Sequence, residues 1–300
     1  MNAVEIKRRM GESDIAEVSQ LLQEVALIDA HAPLGEHQWL DLVHGGRKGF
    51  AGFVARESVD GPLVGYAQLS RGHNTWAVEV VVRPDHRSLR QAVGVELLSA
   101  ALGEARRLGG GHVHLWVAKP TVDTDAMAEQ GGLARGRDLY QMRLALPISD
   151  EHPRVKTRPF QPGVDEATWL EVNNRAFASH PEQGGWTLDT ILEREAEPWF
   201  DQDGFLVHER DGRMAGSCWT KVHREGEPPM GEIYVISVDP DFQGLGLGRS
   251  LVLAGLDHLC ALGMQVTMLY VDAGNDPAVS LYRSLGFEVD HVDRAYTGDV

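Results

Sequence analysis

The sequence has little cysteine, no long apolar run and no excess of positive charge. Its two cysteines, Cys218 and Cys260, cannot form a disulfide framework and lack metal-ligand spacing, which is typical of a reducing compartment. No run approaches the ~20 apolar residues that a membrane span requires, and the first residues show no apolar signal segment. We therefore expect a cytoplasmic protein with no membrane partner.

The net charge of −16 on 300 residues argues against nucleic acid as a partner, because affinity for phosphate backbones comes mainly from basic side chains. The acidity is uneven: residues 1–150 carry −3 and residues 151–300 carry −13. An acidic cleft attracts a cationic amine and repels a polyanion, so a phosphate ligand would need a local cradle of hydrogen-bond donors. A solvated acidic surface that aids solubility is the alternative interpretation.

An internal repeat relates the two halves at an offset of 156 residues. In each half an apolar run ends in x-Pro-Asp, then come a helical pattern that stops at a glycine, a strand-like run and a short helix. The first three segments are residues 76–87, 94–108 and 112–117 in the first half, and residues 232–243, 249–262 and 265–271 in the second. The repeat predicts two domains of one fold in tandem.

The two halves meet at a segment with two prolines and several polar residues, Leu146-Pro-Ile-Ser-Asp-Glu-His-Pro153. We predict a first domain over 1–146, a linker over 147–155 and a second domain over 156–300. Each half opens with an amphipathic helix, over residues 14–27 and 165–177, and Asp14 is expected at the start of the first. Strands alternating with helices predict an α/β (α+β) fold, each domain being a mixed β-sheet flanked by helices.

The most specific motif is the glycine loop, residues 243–249, which reads Gln243-Gly244-Leu245-Gly246-Leu247-Gly248-Arg249. It lies between a predicted strand and a long helix. The free N–H groups and positive dipole end of a helix N-terminus can hold a pyrophosphate without basic side chains. A plain flexible turn is the alternative. A Rossmann dinucleotide site fits less well, because the spacing is Q-x-x-G-x-G after a Val-Asp-Pro turn.

Two motifs carry a family resemblance. Val238-Asp-Pro-x-x-Gln243-x-x-Gly246-x-Gly248 resembles the acyl-coenzyme A loop of the GCN5-related N-acetyltransferases, the GNAT family, and the segment 275–287 resembles their closing helix. Glu36 and the strings at 173–186, 219–223 and 231–235 resemble the mycothiol synthase family. That family consists of tandem acetyltransferases that acetylate the cysteinyl amine of cysteinyl-glucosaminyl-inositol. The resemblance covers nearly the whole chain.

The resemblance implies acetyl-CoA as cosubstrate and a set of residues that contact it. In the second half these are Ile236, Ser237, Val238, Gln243, Gly244, Leu245, Gly246, Leu247, Gly248, Arg249, Asn275, Asp276, Pro277, Ala278 and Ser280; in the first half they are Val80, Val81 and Val82. It also implies that a backbone N–H near Val238 polarises the thioester carbonyl, since the family's strand is irregular there.

Two side chains are candidates for proton transfer. Strict alternation would place Glu232, Tyr234, Ile236 and Val238 on one strand face, where a carboxylate just upstream of the cofactor is suited to be the general base. A glutamate pointing to solvent from an edge strand is the alternative. The spacing of Tyr282 is typical of a packed core tyrosine, but the resemblance implies that its hydroxyl protonates the departing sulfur.

The resemblance also implies Glu36, Glu182, Lys221, Glu232 and Tyr270 as contacts of the small-molecule amine, which would place that substrate between the domains. His112-x-His114 lacks a third ligand near it in sequence, so no metal is expected. Trp199-Phe200 is expected to anchor a loop in the core, with lining of the acceptor channel as the alternative.

The first half does not repeat the candidate loop, base and acid residues of the second half. At the repeat offset, Gln243 corresponds to Arg87, Gly246 to Arg90, Gly248 to Ala92 and Glu232 to Trp76. At an offset of 154, Tyr282 corresponds to Ala128. We expect the first half to give structural support rather than to acetylate.

The resemblance therefore implies an N-acetyltransferase of the mycothiol type, which we expect to be a monomer. Two alternatives stay open: the same transfer to another amine, such as an aminoglycoside, a polyamine or a protein N-terminus, and a non-catalytic acyl-CoA sensor. Retention of Glu232 and Tyr282 beside the loop argues against the sensor, because binding alone needs neither.

Overall fold

The computed structural model describes residues 4–29, 31, 33–44, 46, 49–72, 75–149, 152–178, 180, 183–224 and 228–300, without the side chains of residues 36–37 and 87–91. The chain forms two compact units. The first comprises Met1–Leu139 and His291–Val300, and the second comprises Tyr140–Asp290. Both are built from a mixed sheet with helices packed on it, which is the predicted fold class.

Among the described residues, the strands of the first unit lie in the order β1-β2-β3-β4-β5-β12, followed by the first part of β6. Antiparallel pairing changes to parallel between β4 and β5. Its elements are β1 (Glu5–Lys7), α1 (Glu12–Asp29), α2 (Glu36–Val43), β2 (Ala51–Arg56), β3 (Leu63–Arg71), β4 (Thr75–Val82), α3 (Arg90–Arg107), β5 (His112–Ala118), α4 (Val122–Gln130), the first part of β6 (Ala134–Ala145) and most of β12 (Glu288–Asp299).

The second unit repeats this plan in the order β6-β11-β10-β9-β8-β7, with the parallel pair between β10 and β11. Its elements are the part of β6 from Tyr140, β7 (Arg158–Pro159), α5 (Glu166–Ala176), α6 (Leu188–Glu195), β8 (Phe205–Arg210), β9 (Arg213–His223), β10 (Met230–Val238), α7 (Leu247–Ala261), β11 (Val266–Asp272) and α8 (Asp276–Ser284). A 3₁₀ turn, Pro240–Phe242, joins β10 to the glycine loop.

Local chemistry explains where the main helices begin and end. Helix α1 begins at Glu12, two residues before the predicted Asp14, because the Asp14 carboxylate accepts a hydrogen bond from Gly11 N at 3.0 Å and so acts from inside the first turn. Helices α3 and α7 end before Gly109 and Gly263, whose φ angles of +108° and +82° confirm the predicted glycine stops.

Each sheet buries both of its faces. In the second unit, α7 and α8 cover one face over a core that includes Ile233, Leu251 and Tyr282. Helix α5 lies on the opposite face, where Trp169 and Trp219 pack with Val235 in a cluster rich in aromatic rings. A strand that is covered on both sides needs long apolar stretches, which β9 and β10 provide.

Each compact unit includes a strand, or part of one, that comes from the other half of the sequence. Strand β12, from the end of the second half, pairs antiparallel with β5 of the first unit, from Asp293 opposite Ala118 to Asp299 opposite His112. The part of β6 from Tyr140 belongs to the second unit, where Met142 is fully buried in the core. The compact units therefore differ from the predicted domains 1–146 and 156–300 at these two strands.

No helix within the described residues is both long enough and apolar enough to cross a membrane. Cys218 is buried, Cys260 is half-buried, and both are free thiols.

Candidate active site

Strand β10 contains a bulge in the middle of the second unit's sheet. Its pairing with β9 runs regularly to Ile233 opposite Thr220, then shifts so that Val235 lies opposite Trp219, which leaves Tyr234 as an extra residue. Glu232 therefore shares the α5 face with Val235, whereas Ile236 and Val238 pack in the α7 core. The predicted common face of Glu232, Ile236 and Val238 is wrong, because one inserted residue inverts the alternation beyond it.

The bulge coincides with a gap between β10 and β11. These parallel strands pair only at Gly231 with Thr267 and at Glu232 with Met268. Beyond these pairs β10 continues to Val238 and β11 continues to Asp272 without a mutual ladder. Main-chain N–H and C=O groups that face this gap are available to an extended ligand. The predicted cofactor residues Ile236, Ser237 and Val238 lie on the β10 side of it.

The glycine loop follows directly and has the backbone that its glycines predict. Gly244 and Gly246 have φ angles of +77° and +76°, a left-handed conformation that side chains other than glycine's rarely adopt. A Cβ at either position would meet no atom within 4 Å, so the concave side of the loop is open. The loop leads directly into α7, whose first N–H groups lack intrahelical acceptors.

A cavity of about 310 Å³ lies against this loop. Its lining combines the loop with the end of β10 and one residue of α8, and consists of Val238, Phe242, Gln243, Gly244, Gly246, Leu247, Gly248, Arg249 and Leu281. Seven of the predicted cofactor contacts therefore share one cavity at the N-terminus of α7. The donors there are mostly backbone amides, which is the type of site that binds a diphosphate at a helix N-terminus.

Four charged side chains hold the turn that precedes the loop. Arg175 of α5 donates to Asp239 Oδ2 at 2.8 Å and to Asp241 Oδ1 at 3.0 Å, and Arg213 donates to Asp241 Oδ2 at 2.7 Å. Arg213 and, next, Arg175 hold the pKa of Asp241 below its ordinary value. Sequence reasoning missed this network, although Arg175 belongs to the string 173–186 that carries the resemblance.

Helix α8 contributes Leu281 to the cavity and begins as its motif predicts. The side chain of Asn275 accepts a hydrogen bond from Ala278 N at 3.3 Å and so caps the helix, while Pro277 occupies its first turn. Asp276 and Ser280 are exposed on the same short helix. Arg249 donates to Ser284 Oγ at 2.8 Å and thereby joins the start of α7 to the end of α8.

Glu232 lies at the last paired position of β10, where the gap opens. It is 6% exposed, faces Lys221 across the ladder, and its Oε2 is 2.6 Å from Nε2 of His223. The alternative of an edge-strand glutamate in solvent is wrong, since β10 is an interior strand between β9 and β11. A buried carboxylate is a suitable proton acceptor when no guanidinium neutralises it, and the described residues show no arginine hydrogen-bonded to Glu232.

Tyr282 lies on α8, packed against Phe287 with ring centroids 5.8 Å apart. It is buried with the core residues Leu269 and Val271 of β11. Burial and, to a smaller extent, the nearby Cys218 raise the pKa of its hydroxyl well above 10. The phenol therefore keeps its proton throughout the neutral range and can act as a proton donor.

Aromatic rings and two cations form a wall beside Glu232. Lys221 Nζ lies 4.2 Å from the ring centroid of Trp199 and 5.4 Å from that of Tyr234. Arg194 of α6 donates to the Tyr234 hydroxyl at 2.9 Å. Trp199 and Phe200 pack against the core around Trp219, as predicted, and Trp199 also contacts the predicted substrate residue Lys221.

The remaining predicted substrate residues differ in what the structure describes. Tyr270 projects from β11 and is 42% exposed, and its hydroxyl accepts a hydrogen bond from Gln141 Nε2 at 2.8 Å. Glu36 begins α2, but its side chain lies outside the described residues, as does the whole of Glu182.

The first unit keeps the gap but not the bulge. Strands β4 and β5 pair as far as Val78 with Leu115, and β4 then continues through Val80–Val82 with no register shift against β3. Without the extra residue, the ladder places Ala77 opposite Ser70, as it places Glu232 opposite Lys221. The predicted match of Glu232 with Trp76 is therefore wrong by one position.

The His112-x-His114 pair shows no sign of a metal centre in the described part of the chain. His112 lies 3.0 Å from an Asp299 oxygen. No group of three or more His, Cys, Asp or Glu side chains among the described residues is arranged to hold a metal ion.

Comparison with known proteins gives a consistent relationship. The model of the Acetyltransferase (GNAT) family matches residues 16–132 and 168–287, once in each half. A protein of Acidimicrobium ferrooxidans named Mycothiol acetyltransferase is 41% identical over 283 residues, which is 92% of this chain and 91% of that protein. One of Thermomonospora curvata with the same name is 43% identical over 292 residues, which is 95% of this chain and 94% of that protein.

Solved structures share the fold at lower identity. A GCN5-related N-acetyltransferase from Sphaerobacter thermophilus superposes with a TM-score of 0.74 at 21% identity, covering 99% of this chain and 95% of that chain. A tandem GNAT protein from the clavulanic acid biosynthesis pathway gives a TM-score of 0.72 at 19% identity, covering 99% and 98%. The predicted resemblance and the tandem fold are confirmed, and the chain belongs to the acetyltransferase (GNAT) family, alongside relatives named mycothiol acetyltransferase.

Proposed function

We propose that the second unit, Tyr140–Asp290, transfers the acetyl group of acetyl-CoA to the cysteinyl amine of cysteinyl-glucosaminyl-inositol, which yields mycothiol. The acceptor is supported by the names of relatives that are 41% and 43% identical over nearly the full length. The carrying observation is the cavity at the N-terminus of α7, which adjoins the gap between β10 and β11 and has Glu232 at the point where the gap opens.

The loop amides and the gap would bind different parts of acetyl-CoA. The amides of the glycine loop and of the first turn of α7 would hold the diphosphate, because a helix N-terminus stabilises negative charge there. The free main-chain groups of β10, at Ile236–Val238, would pair with the amide groups of the pantetheine arm. Positive side chains are not needed, which fits a half of the chain with a charge of −13.

Glu232 would act as the general base. An amine enters at neutral pH as an ammonium, and it must lose a proton before nitrogen can attack the thioester carbonyl. The carboxylate is buried beside the gap and is held by His223, so its position is defined before substrate arrives. A main-chain N–H beside the bulge would donate to the oxyanion. This places the backbone irregularity earlier in β10 than the predicted position near Val238.

Tyr282 would act as the general acid. As the C–S bond breaks, the thiolate leaving group needs a proton, and the raised pKa keeps one on the phenol. Tyr282 belongs to the same core cluster as Cys218 and Ile236, which supports a position of the phenol near the gap.

The acceptor would lie on the α5 face near the wall of Trp199, Tyr234 and Lys221. A hydroxyl-rich substrate needs both donors and acceptors, which Lys221 and Tyr270 offer from β9 and β11. Glu36 and Glu182 are proposed as further contacts on the strength of the family resemblance.

The first unit is proposed to support the second structurally. Its strand segment Val80–Val82 lies beyond the last pair with β5, so its backbone would also be open to an acyl-CoA. No counterpart of Glu232 accompanies it, because Ala77 has that place in the ladder.

The experiment is an acceptor comparison. The protein is mixed with acetyl-CoA and, separately, with cysteinyl-glucosaminyl-inositol, an aminoglycoside, a polyamine and a peptide N-terminus, and the loss of thioester absorbance is followed. Turnover with the cysteinyl glycoside at a kcat/KM far above the others supports the proposal. Equal turnover with many amines would change the acceptor, and binding of acetyl-CoA without any turnover would favour a sensor.

A further inference from the structure

His223 lies within hydrogen-bond distance of Glu232. It ends β9, two residues after Lys221, so alternation places its side chain on the same face as Glu232. The Nε2 atom lies 2.6 Å from Glu232 Oε2. The exposed fractions of the two side chains differ: 9% for Glu232 and 30% for His223. The imidazole therefore connects a nearly buried carboxylate to solvent.

The proposed reaction requires such a connection, because it releases one proton. The acceptor enters as R–NH₃⁺ and leaves as R–NH–CO–CH₃, so its nitrogen gives up two protons as the N–C bond forms and the C–S bond breaks. One of these protons balances the CoA–SH product. The other must reach water in every turnover, and Glu232, which receives it, is almost out of contact with solvent.

We propose that His223 is a positioning residue that also carries this proton from Glu232 to solvent. In its neutral form the imidazole Nε2 accepts the proton from the Glu232 carboxyl group, which restores the carboxylate. The resulting imidazolium stays paired with that carboxylate until it returns a proton to water at its exposed edge. Histidine is suited to this step because its ordinary pKa lies near neutrality. The inference rests on the proposed function only in that the acceptor is an amine.

Other charged and titratable groups lie on the same strands and on the neighbouring elements of the second unit. From β9 comes Lys221, and the exposed Arg224 follows that strand; β10 contributes Tyr234, β11 contributes Tyr270, β6 contributes Arg143, and α6 contributes Arg194. Helix α5 contributes Arg175, which is already paired with Asp239 and Asp241. The His223 imidazole is in hydrogen-bond contact with the Glu232 carboxylate.

Two substitutions separate proton transfer from packing. His223→Gln keeps a side-chain N–H that can donate to Glu232 but cannot carry a proton, whereas His223→Ala leaves room for imidazole from solution. The matched control is His208→Gln on the neighbouring strand β8, where the imidazole Nδ1 contacts only Lys156 O at 2.8 Å among the described residues. The kcat, the acceptor KM and the acetyl-CoA Kd are measured from pH 6 to pH 9 with whichever amine the wild type acetylates.

We expect His223→Gln to lower kcat about tenfold near neutral pH, with the acceptor KM and the acetyl-CoA Kd unchanged. The loss should shrink as buffer base is added, and imidazole should restore His223→Ala in a saturable way. Wild-type kcat and pH profile in His223→Gln would overturn the inference. So would a loss that appears in KM or Kd instead of kcat, or one that neither imidazole nor buffer restores.

A wrong acceptor assignment would give a different result from a wrong proton route. If the wild type acetylates another amine but not the cysteinyl glycoside, the assigned acceptor is wrong, yet the His223 variants still decide the proton route on the amine that reacts. Nitrogen-15 NMR of the histidines adds a reading that is independent of turnover. The ring nitrogen shifts of His223 should change in Glu232→Gln, because Nε2 loses its carboxylate partner, while those of His208 should not change. Unchanged His223 ring shifts would overturn the pairing.

Discussion

The two units share one fold, and they differ at three places along a single strand and the loop after it. Strand β10 has an extra residue at Tyr234, whereas β4 runs without a shift. Glu232 stands where the first unit has Ala77. The loop after β10 opens through Gly244 and Gly246, whereas the corresponding segment, Pro84–Leu89, forms a 3₁₀ turn that contains no glycine.

The same comparison extends to the buried face beside these strands. In the second unit Trp219 lies opposite Val235 in the aromatic cluster. In the first unit Gln68 has that ladder position opposite Glu79, and it belongs to a buried chain of hydrogen bonds with Tyr66 and Ser70. The gap between parallel strands is thus a property of the fold, while the base, the bulge and the glycines distinguish the unit that we propose to be active.

The largest expected effect is that of Glu232→Gln, which removes the carboxylate that the first unit lacks at this position. We expect kcat to fall by about 10²–10⁴-fold, with acetyl-CoA binding unchanged. The loss should be greatest at low pH, where more of the amine is protonated and needs a base, and should narrow as pH rises. Steady-state kinetics across the pH range checks this, and full activity at low pH would show that Glu232 is not the base.

Tyr282→Phe is expected to rank next, with kcat lowered about 10²-fold and the ring packing on Phe287 kept. Because burial raises the pKa of Tyr282, the wild type should not lose this acid function as pH rises from 7 to 9. The control is Tyr296→Phe in the first unit, where the hydroxyl donates to Asp125 at 2.6 Å. That variant should lose stability and keep kcat. A loss of acetyl-CoA affinity in Tyr282→Phe would indicate a packing role instead.

A smaller effect, on binding, is expected from Gly246→Ala. The added methyl group would enter the open side of the loop and strain a φ of +76°, so the acetyl-CoA Kd should rise about tenfold or more. Gly263→Ala is the matched control, since its φ is +82° and its Cβ would also meet no atom within 4 Å. Both variants should lose about 1–2 kcal/mol of stability from backbone strain, but only Gly246→Ala should lose affinity in titration calorimetry.

The smallest effect on activity is expected from Tyr66→Phe. The hydroxyl of Tyr66 donates to Gln68 Oε1 at 2.8 Å in the buried chain of the first unit, and its loss leaves that acceptor unpaired. The unfolding free energy should fall by about 1–3 kcal/mol, while kcat and KM stay at wild-type values well below the melting temperature. Reduced kcat with unchanged stability would mean that the first unit takes part in the transfer.

Local features of this fold could be predicted from the sequence, and long-range ones could not. The repeat, the glycine stops at Gly109 and Gly263 and the turn into α7 depend on neighbouring residues, and all are present. The bulge at Tyr234 depends on how β10 pairs with β9, which no period in one strand reveals. For the same reason the match of Glu232 with Trp76 was wrong, since an offset taken from the sequence ignores an inserted residue.

The candidate site shows the same division. The loop residues could be proposed as cofactor contacts because glycine spacing is itself the signal. His223 was missed as a partner of Glu232, although Trp219, Lys221 and His223 alternate along β9 and so share one face. Pairing that face with Glu232 requires knowledge of which strands are neighbours. The ion network of Arg175 with Asp239 and Asp241 likewise joins residues that are 64 and 66 positions apart.

The exchange of β6 and β12 has a consequence for how the chain can be made and divided. During synthesis, strand β5 keeps an unpaired edge until residues 293–299 have been made. The strands before β5 are complete long before that. Cutting the chain at the junction between its halves would deprive each piece of a strand that it needs. Neither half, expressed alone, would contain all the strands of one compact unit, so the natural fragments to test follow the units rather than the repeat.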